Sequence, residues 1–151
     1  MIDLLPPGAL PLALARPLTM TACNRSARAP ASAPELAQAV PINNVRTPLA
    51  GLITGGQPTA EQIDAAAQAG VHTVINLRAV GEPGYEWESA AVEKAGMRYV
   101  HIPVDGQAGL TRETVAQIDQ ALDEAAPQGT VMLHCGSGNR VGAVLALRAA
   151  W

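Results

Sequence analysis

Phenylalanine is absent from this 151-residue chain, and its other aromatics are only Tyr85, Trp87, Tyr99 and Trp151. Proteins that stack single-stranded bases need aromatic platforms, so that class is excluded. Lys94 is the only lysine and the net charge is -3, which leaves no clustered positive charge to displace counterions from a nucleic acid. Two cysteines cannot make a disulfide framework. No uninterrupted apolar run approaches the roughly 20 residues that cross a bilayer. The chain is nevertheless 48% hydrophobic and only 15% charged, which is too apolar for disorder throughout. Alanine and aliphatic residues must supply the core of one compact domain.

The first 48 residues are expected to lie outside that domain. Eight of the twelve prolines fall before residue 49, alanine is abundant, and neither helical nor strand periodicity persists. Ala9 to Met20 resembles the apolar part of a signal peptide and runs into Thr21-Ala22-Cys23. Small residues before a cysteine are similar to a bacterial lipoprotein cleavage site, at which Cys23 would carry lipid. Asp3 and Arg16 count against it, so export to the cell envelope and retention in the cytoplasm both stay open. The following NRSARAPASAP has the composition of a tether. A membrane enters this reading only through lipid on Cys23.

From residue 49 onward, short apolar runs alternate with helical patterns. Leu52 to Thr54 is a strand candidate closed by Gly55-Gly56. Thr59 and Gln62 make a capping box for a helix that ends at Gly70. His72 to Leu77 reads as a buried parallel strand, Tyr85 to Ala95 as a helix, and Arg98 to Val104 as an extended run. Thr111 caps a third helix with Val115, Ile118, Leu122 and Ala125 on one face. Thr130 to His134 is the last strand, and Arg140 to Ala150 the last helix. This alternation predicts an α/β domain with a mostly parallel sheet covered on both faces. Ligands of such sheets sit beyond the carboxyl ends of the strands.

The segment His134-Cys135-Gly136-Ser137-Gly138-Asn139-Arg140 lies between the last strand and the last helix. Its glycines let backbone amides converge, and the helix start adds partial positive charge, so Gly136, Ser137, Gly138 and Asn139 form a candidate anion-binding loop. A helix N-terminus and a neighbouring cation can bring a thiol to roughly 3.5–7.5, which would make Cys135 a nucleophilic thiolate at neutral pH. Arg140 offers a planar fork to an oxyanion. Cys135 could instead be a small buried residue, although that reading leaves the glycines and Arg140 unexplained. A dinucleotide fingerprint lacks its acidic residue and its second strand.

VINLR (Val74 to Arg78), YVHIPVD (Tyr99 to Asp105), HCGSGNRVGA (His134 to Ala143) and GGQPTAEQ (Gly55 to Gln62) together resemble the beta-lactamase hydrolase-like phosphatases of bacteria, relatives of dual-specificity protein phosphatases. The likeness covers about two thirds of the chain, with four motifs in order. It implies a three-layer protein tyrosine phosphatase-like fold over residues 49–151. It also implies that Cys135 attacks phosphorus, that Arg140 binds the phosphoryl oxygens, and that an aspartate on a separate loop protonates the leaving group. Asp105, thirty residues before Cys135 and followed by Gly106, is the aspartate placed for that role; its other reading is a turn residue. His134 either orients the loop or is an ordinary hydrogen-bonded strand-end histidine. Arg78 either holds a second anionic group or is a surface residue or the partner of a carboxylate such as Glu82, and the second reading is preferred.

Two departures from the phosphatase pattern matter. Four residues separate Cys135 from Arg140 where the usual phosphatase loop has five, and Val141 stands where Ser or Thr normally follows the arginine. The shorter spacing is similar to the loop of rhodanese-type sulfur transferases, in which the cysteine carries a persulfide. The expected function is therefore a cysteine-dependent, phosphatase-like hydrolase of a small anionic substrate, with no metal and no cofactor. Sulfur transfer through Cys135 and a non-catalytic anion-binding module are the alternatives. Trp151 ends the sequence early for the last helix, so a truncated domain also stays open.

Overall fold

A computed structural model describes residues 32–151; the signal-like run and Cys23 lie outside the described residues. A five-stranded sheet has the order β1-β2-β5-β3-β4. The strands are β1 (Arg46–Leu49), β2 (Leu52–Gly55), β3 (Val71–Asn76), β4 (Arg98–His101) and β5 (Thr130–His134). The β1–β2 pair is antiparallel, whereas β2, β5, β3 and β4 run parallel. Register places Gly55 and Asn76 opposite His134, and His101 opposite Asn76. The carboxyl ends of all four parallel strands therefore finish at one level, around the end of β5.

Helices α1 (Ala33–Ala39), α2 (Ala60–Gln68) and α3 (Glu88–Lys94) serve one face, while α4 (Arg112–Ala125) and α5 (Asn139–Ala150) serve the other. Alternation along β5 divides the core accordingly. Val131 and Leu133 pack with Ile118, Leu122 and Val144, and Met132 packs with Leu36, Ile63 and Val92. Successive strand side chains point to opposite faces, so a strand covered on both sides is mostly apolar. All five β5 residues are buried. The expected three-layer architecture with a mostly parallel sheet is the one observed.

The start of the packed chain differs from expectation. Residues 33–48, assigned to the N-terminal segment from sequence, contain α1 and all but the last residue of β1, and Leu36, Val40 and Ile42 are at most 3% exposed. Proline density misled because each proline here occupies a position where it costs little. Pro34 lies in the first turn of α1, Pro41 follows its end, and Pro48 sits on the edge strand. The Ser32 amide donates to Glu35 at 2.9 Å, a capping signal legible in sequence. Leu36→Ala should cost about 2–4 kcal/mol, read as a lower denaturation midpoint with an unchanged slope; an unaltered midpoint would place α1 outside the cooperative unit.

Other boundaries shift for local reasons. The helix expected from Tyr85, α3, begins at Glu88 instead because residues 82–85 form a turn, with the Tyr85 amide on the Glu82 carbonyl at 3.2 Å. Beyond β4 the chain still follows β3, through Ile102 on Asn76 and Val104 on Leu77. Pro103 between them has no N–H to give. The capping box of α2 forms as read, with Thr59 and Gln62 exchanging bonds of 2.9 and 3.3 Å.

Candidate active site

The segment after β5 turns into α5 within four residues, and Gly138 makes this possible by adopting φ +91, a region that L side chains avoid. Helix α5 begins at Asn139, so its unpaired N–H groups and the positive end of its dipole face the loop. Cys135 is fully buried at the base of that loop. The Gly138 amide donates to its sulfur at 3.1 Å. From behind, the Gln57 amide holds the Gly136 carbonyl at 3.0 Å. Gly56 permits the approach, since a Cβ there would lie 2.8 Å from that carbonyl. Ser137 and Asn139 are exposed, and the Ser137 carbonyl accepts from the Asn44 side chain at 2.9 Å.

Arg140 is fixed on one edge. Its Nη1 donates to Glu82 Oε1 at 2.5 Å, to the Val104 carbonyl at 3.1 Å and to the Leu77 carbonyl at 3.3 Å. Its Nη2 donates to Glu82 Oε2 at 2.8 Å. A guanidinium has two bidentate edges, and these contacts consume the Nη1/Nη2 edge. The Nε/Nη2 edge remains for another anion. Hydrogen bonding to Glu82 raises the Arg140 pKa, with Cys135 contributing further, so the guanidinium stays charged beside the sulfur.

Glu82 is the residue that sequence reading undervalued. Gly81 and Gly84 on either side of the Glu82-Pro83 pair have φ +87 and +80, and their turn delivers the carboxylate to two arginines. Arg78 Nε lies 3.3 Å from Glu82 Oε2. The other Arg78 donors go to Gln57 at 2.6 Å and to the Pro83 carbonyl at 2.5 Å. Arg78 is 5% exposed, so its pairing with Glu82 is the arrangement present. Hydrogen bonding from Arg140 holds the Glu82 pKa near 2 instead of 4.5, against partial desolvation. A carboxylate more acidic in the folded than in the unfolded state stabilises the fold above the unfolded value and loses that contribution as pH falls through the folded one. Between pH 4.5 and 2, Glu82→Gln should therefore flatten the acid-induced fall of Tm. Thermal unfolding at stepped pH measures this, and parallel curves for the two proteins would contradict it.

His134 is fully buried and its Nε2 lies 2.5 Å from Glu88 Oε1, itself fully buried at the start of α3. Asp105 is exposed on the loop after β4. Its peptide neighbour Val104 holds Arg140, and Gly106 adopts φ +52 immediately after it. The structure thus gathers Cys135, the Gly136 to Asn139 loop, Arg140 and His134 in one place, and brings the Asp105 backbone to its rim. Among the described residues no cluster of His, Cys, Asp and Glu suits a metal. Gln57, Asn76 and Glu88 were not singled out: Gln57 and Asn76 lie inside GGQPTAEQ and VINLR, but polar residues scattered over thirty positions give no periodic signal that they meet.

The chain is similar to known proteins in sequence and fold. A beta-lactamase hydrolase-like protein from Xylella fastidiosa is 36% identical over 93 residues, covering 59% of this chain; the chain spans about a fifth of that relative, 21% of its length. The crystal structure of a candidate phosphatase of the DUF442 group from Shewanella putrefaciens superposes with a TM-score of 0.67 at 31% identity, covering 74% of each chain. The structure of Tk-PTP in its active form, 20% identical with a TM-score of 0.56 over 62% of this chain and 63% of its own, shares the fold alone. The family model for the phosphatase-like domain of beta-lactamase hydrolase-like proteins matches residues 44–151. Over those residues, this chain belongs to that phosphatase-like family.

Proposed function

We propose that this domain hydrolyses phosphate esters through a covalent phosphocysteine on Cys135. The observation that carries the reading is the pairing of a sulfur held by the Gly138 amide with an arginine whose outer edge is fixed by Glu82. The inner edge and the loop amides then face one point, where a tetrahedral oxyanion would sit. The Cys135 thiolate attacks phosphorus, an S–P bond forms, and the bond to the ester oxygen breaks. Asp105, swung over the loop about Gly106, gives its proton to the departing oxygen. Water then attacks the phosphocysteine, its proton passes to Asp105, the S–P bond breaks and phosphate leaves. Arg140 and the amides of the Gly136 to Asn139 segment carry the developing charge. Glu82 remains an ionised positioning group, since its acidity leaves it no proton to donate near neutrality.

Val141 makes the second half the slow one. It is 2% exposed and has no hydroxyl to ease departure of the thiolate. An aryl phosphate should therefore give a burst of phenol followed by slow turnover. Val141→Thr should raise the slow rate by about tenfold and shrink the burst, as rapid mixing would record. An unchanged steady rate would remove this position as the bottleneck.

Sulfur transfer rests on loop length alone, and the phosphatase fold around that loop favours phosphorus. Aryl phosphate, and thiosulfate with cyanide, offered side by side to the purified protein test the choice. Turnover of the phosphate supports this reading; turnover of thiosulfate alone overturns it. Turnover of neither would leave a non-catalytic anion cradle.

A further inference from the structure

An open cleft of about 670 Å³ lies between the β1–β2 hairpin and the start of α5, and Glu82, Asp105 and Arg140 take no part in it. Ser137, Gly138 and Asn139 line one side, so the cleft and the anion loop share a border. Asn44 and Arg46 line it from the hairpin, and Gly142 and Leu145 from α5. A cleft of this size takes a small organic molecule rather than a bare ion.

Three features of the lining point to an anionic occupant. Arg46 is the only charged residue in it, and no carboxylate faces the cleft. The Arg46 guanidinium makes one bond, from Nη1 to the Val45 carbonyl at 2.8 Å. Every other arginine among the described residues meets a carboxylate or, for Arg112, the Trp151 ring. Arg46 therefore keeps donors for a ligand. Gly142 is the second feature. It lies inside α5, where glycine weakens a helix relative to alanine, and a Cβ there would meet nothing within 4 Å. Packing does not require this glycine as it requires Gly56; what the missing side chain leaves is room in the cleft. Asn44 is the third. It is the only non-glycine among the described residues with positive φ, at +53, and its amide holds the Ser137 carbonyl at 2.9 Å. That bond ties the approach to β1 to the loop and fixes the distance between Arg46 and the anion cradle. Register pairs Arg46 with Thr54 and Thr54 with Leu133, so the Arg46 backbone stands two strand spacings, about 10 Å, from the strand that leads into Cys135.

We infer that the cleft receives the leaving-group half of the substrate and that Arg46 binds a second anionic group there. The substrate class is then a small phosphate monoester that carries another phosphate or a carboxylate. The inference rests on the phosphatase reading of the Cys135 loop and deepens it. Loop amides and Arg140 hold the phosphoryl group that reacts, whereas Arg46 stays outside the chemistry and selects by charge and reach. A contact made equally in the ground and transition states lowers KM and leaves kcat alone.

Linear diols of increasing length, phosphorylated at one end or at both, test this through phosphate release by the full chain. A third set carries a carboxylate at the far end, and an advantage with either anion supports the proposal and names which one the cleft takes. At low ionic strength the best two-ended substrate should exceed its monophosphate in kcat/KM by about tenfold, beyond the statistical factor of two equal ends, and through KM. Arg46→Gln should remove that advantage and leave the monophosphates unchanged. Gly142→Leu should fill the cleft and penalise the longer diols, with no fall in Tm because leucine favours the helix. No advantage at any length, an equal loss for one-ended and two-ended substrates in Arg46→Gln, or unchanged kinetics of every diol in Gly142→Leu would overturn the proposal and leave the function reading standing. Release from none of the esters would overturn the function reading, and this inference with it.

Discussion

Cys135→Ser should abolish turnover of an aryl phosphate, a loss on the order of 10⁴-fold or more, while the protein remains folded. Serine is nearly isosteric, but its hydroxyl does not ionise in the range where a thiol at a helix start does. The proposed role of the sulfur draws on two contacts: the Gly138 amide stands 3.1 Å from it, and Arg140 stays charged beside it. Cys135 also belongs to the core cluster around Leu133 and Val144, so the serine hydroxyl should lower stability by roughly 1–2 kcal/mol, visible as a small fall in Tm. Acid quenching of the unsubstituted protein during the burst should yield phosphate on the Cys135 peptide and none in the variant. Activity within tenfold of the original would place the nucleophile elsewhere.

Arg140→Lys should cost about 10²–10³ in kcat/KM despite conserving charge. An ammonium cannot satisfy Glu82, the Val104 and Leu77 carbonyls and an incoming oxyanion together, because it lacks two opposed edges. Glu82→Gln keeps the shape but weakens the grip, and should lower kcat by about tenfold with a smaller effect on KM. The two losses should combine to less than their product, since Glu82 acts through Arg140. Full multiplicativity in steady-state assays of the three proteins would separate Glu82 from the clamp.

Much of the site was legible because its parts are adjacent in the chain. His134 to Arg140 is a continuous strand-loop-helix segment, and local rules for glycine, helix starts and thiols suffice to read it. The capping box of α2 and the mostly apolar central strands were equally local. The start of the domain was misread through proline content, a property of composition. What decides whether Pro34, Pro41 and Pro48 break structure is whether each falls at a helix start, beyond a helix end or on a sheet edge, and their positions in α1 and β1 answer that.

Scarcity of aromatics and of lysine set, from sequence alone, the expectation that nucleic acid is not a partner, and required that aliphatic residues build the core, as they do. The sequence also singled out the proposed nucleophile Cys135, its loop and Arg140. The tertiary structure decided what surrounds them. Glu82, Arg78, Gln57 and Glu88 come from three separate stretches of chain, and only the alignment of the parallel strand ends around His134 brings them to one cradle. Spacing along a chain encodes local geometry, whereas the partners of a charge are chosen by sheet order and register.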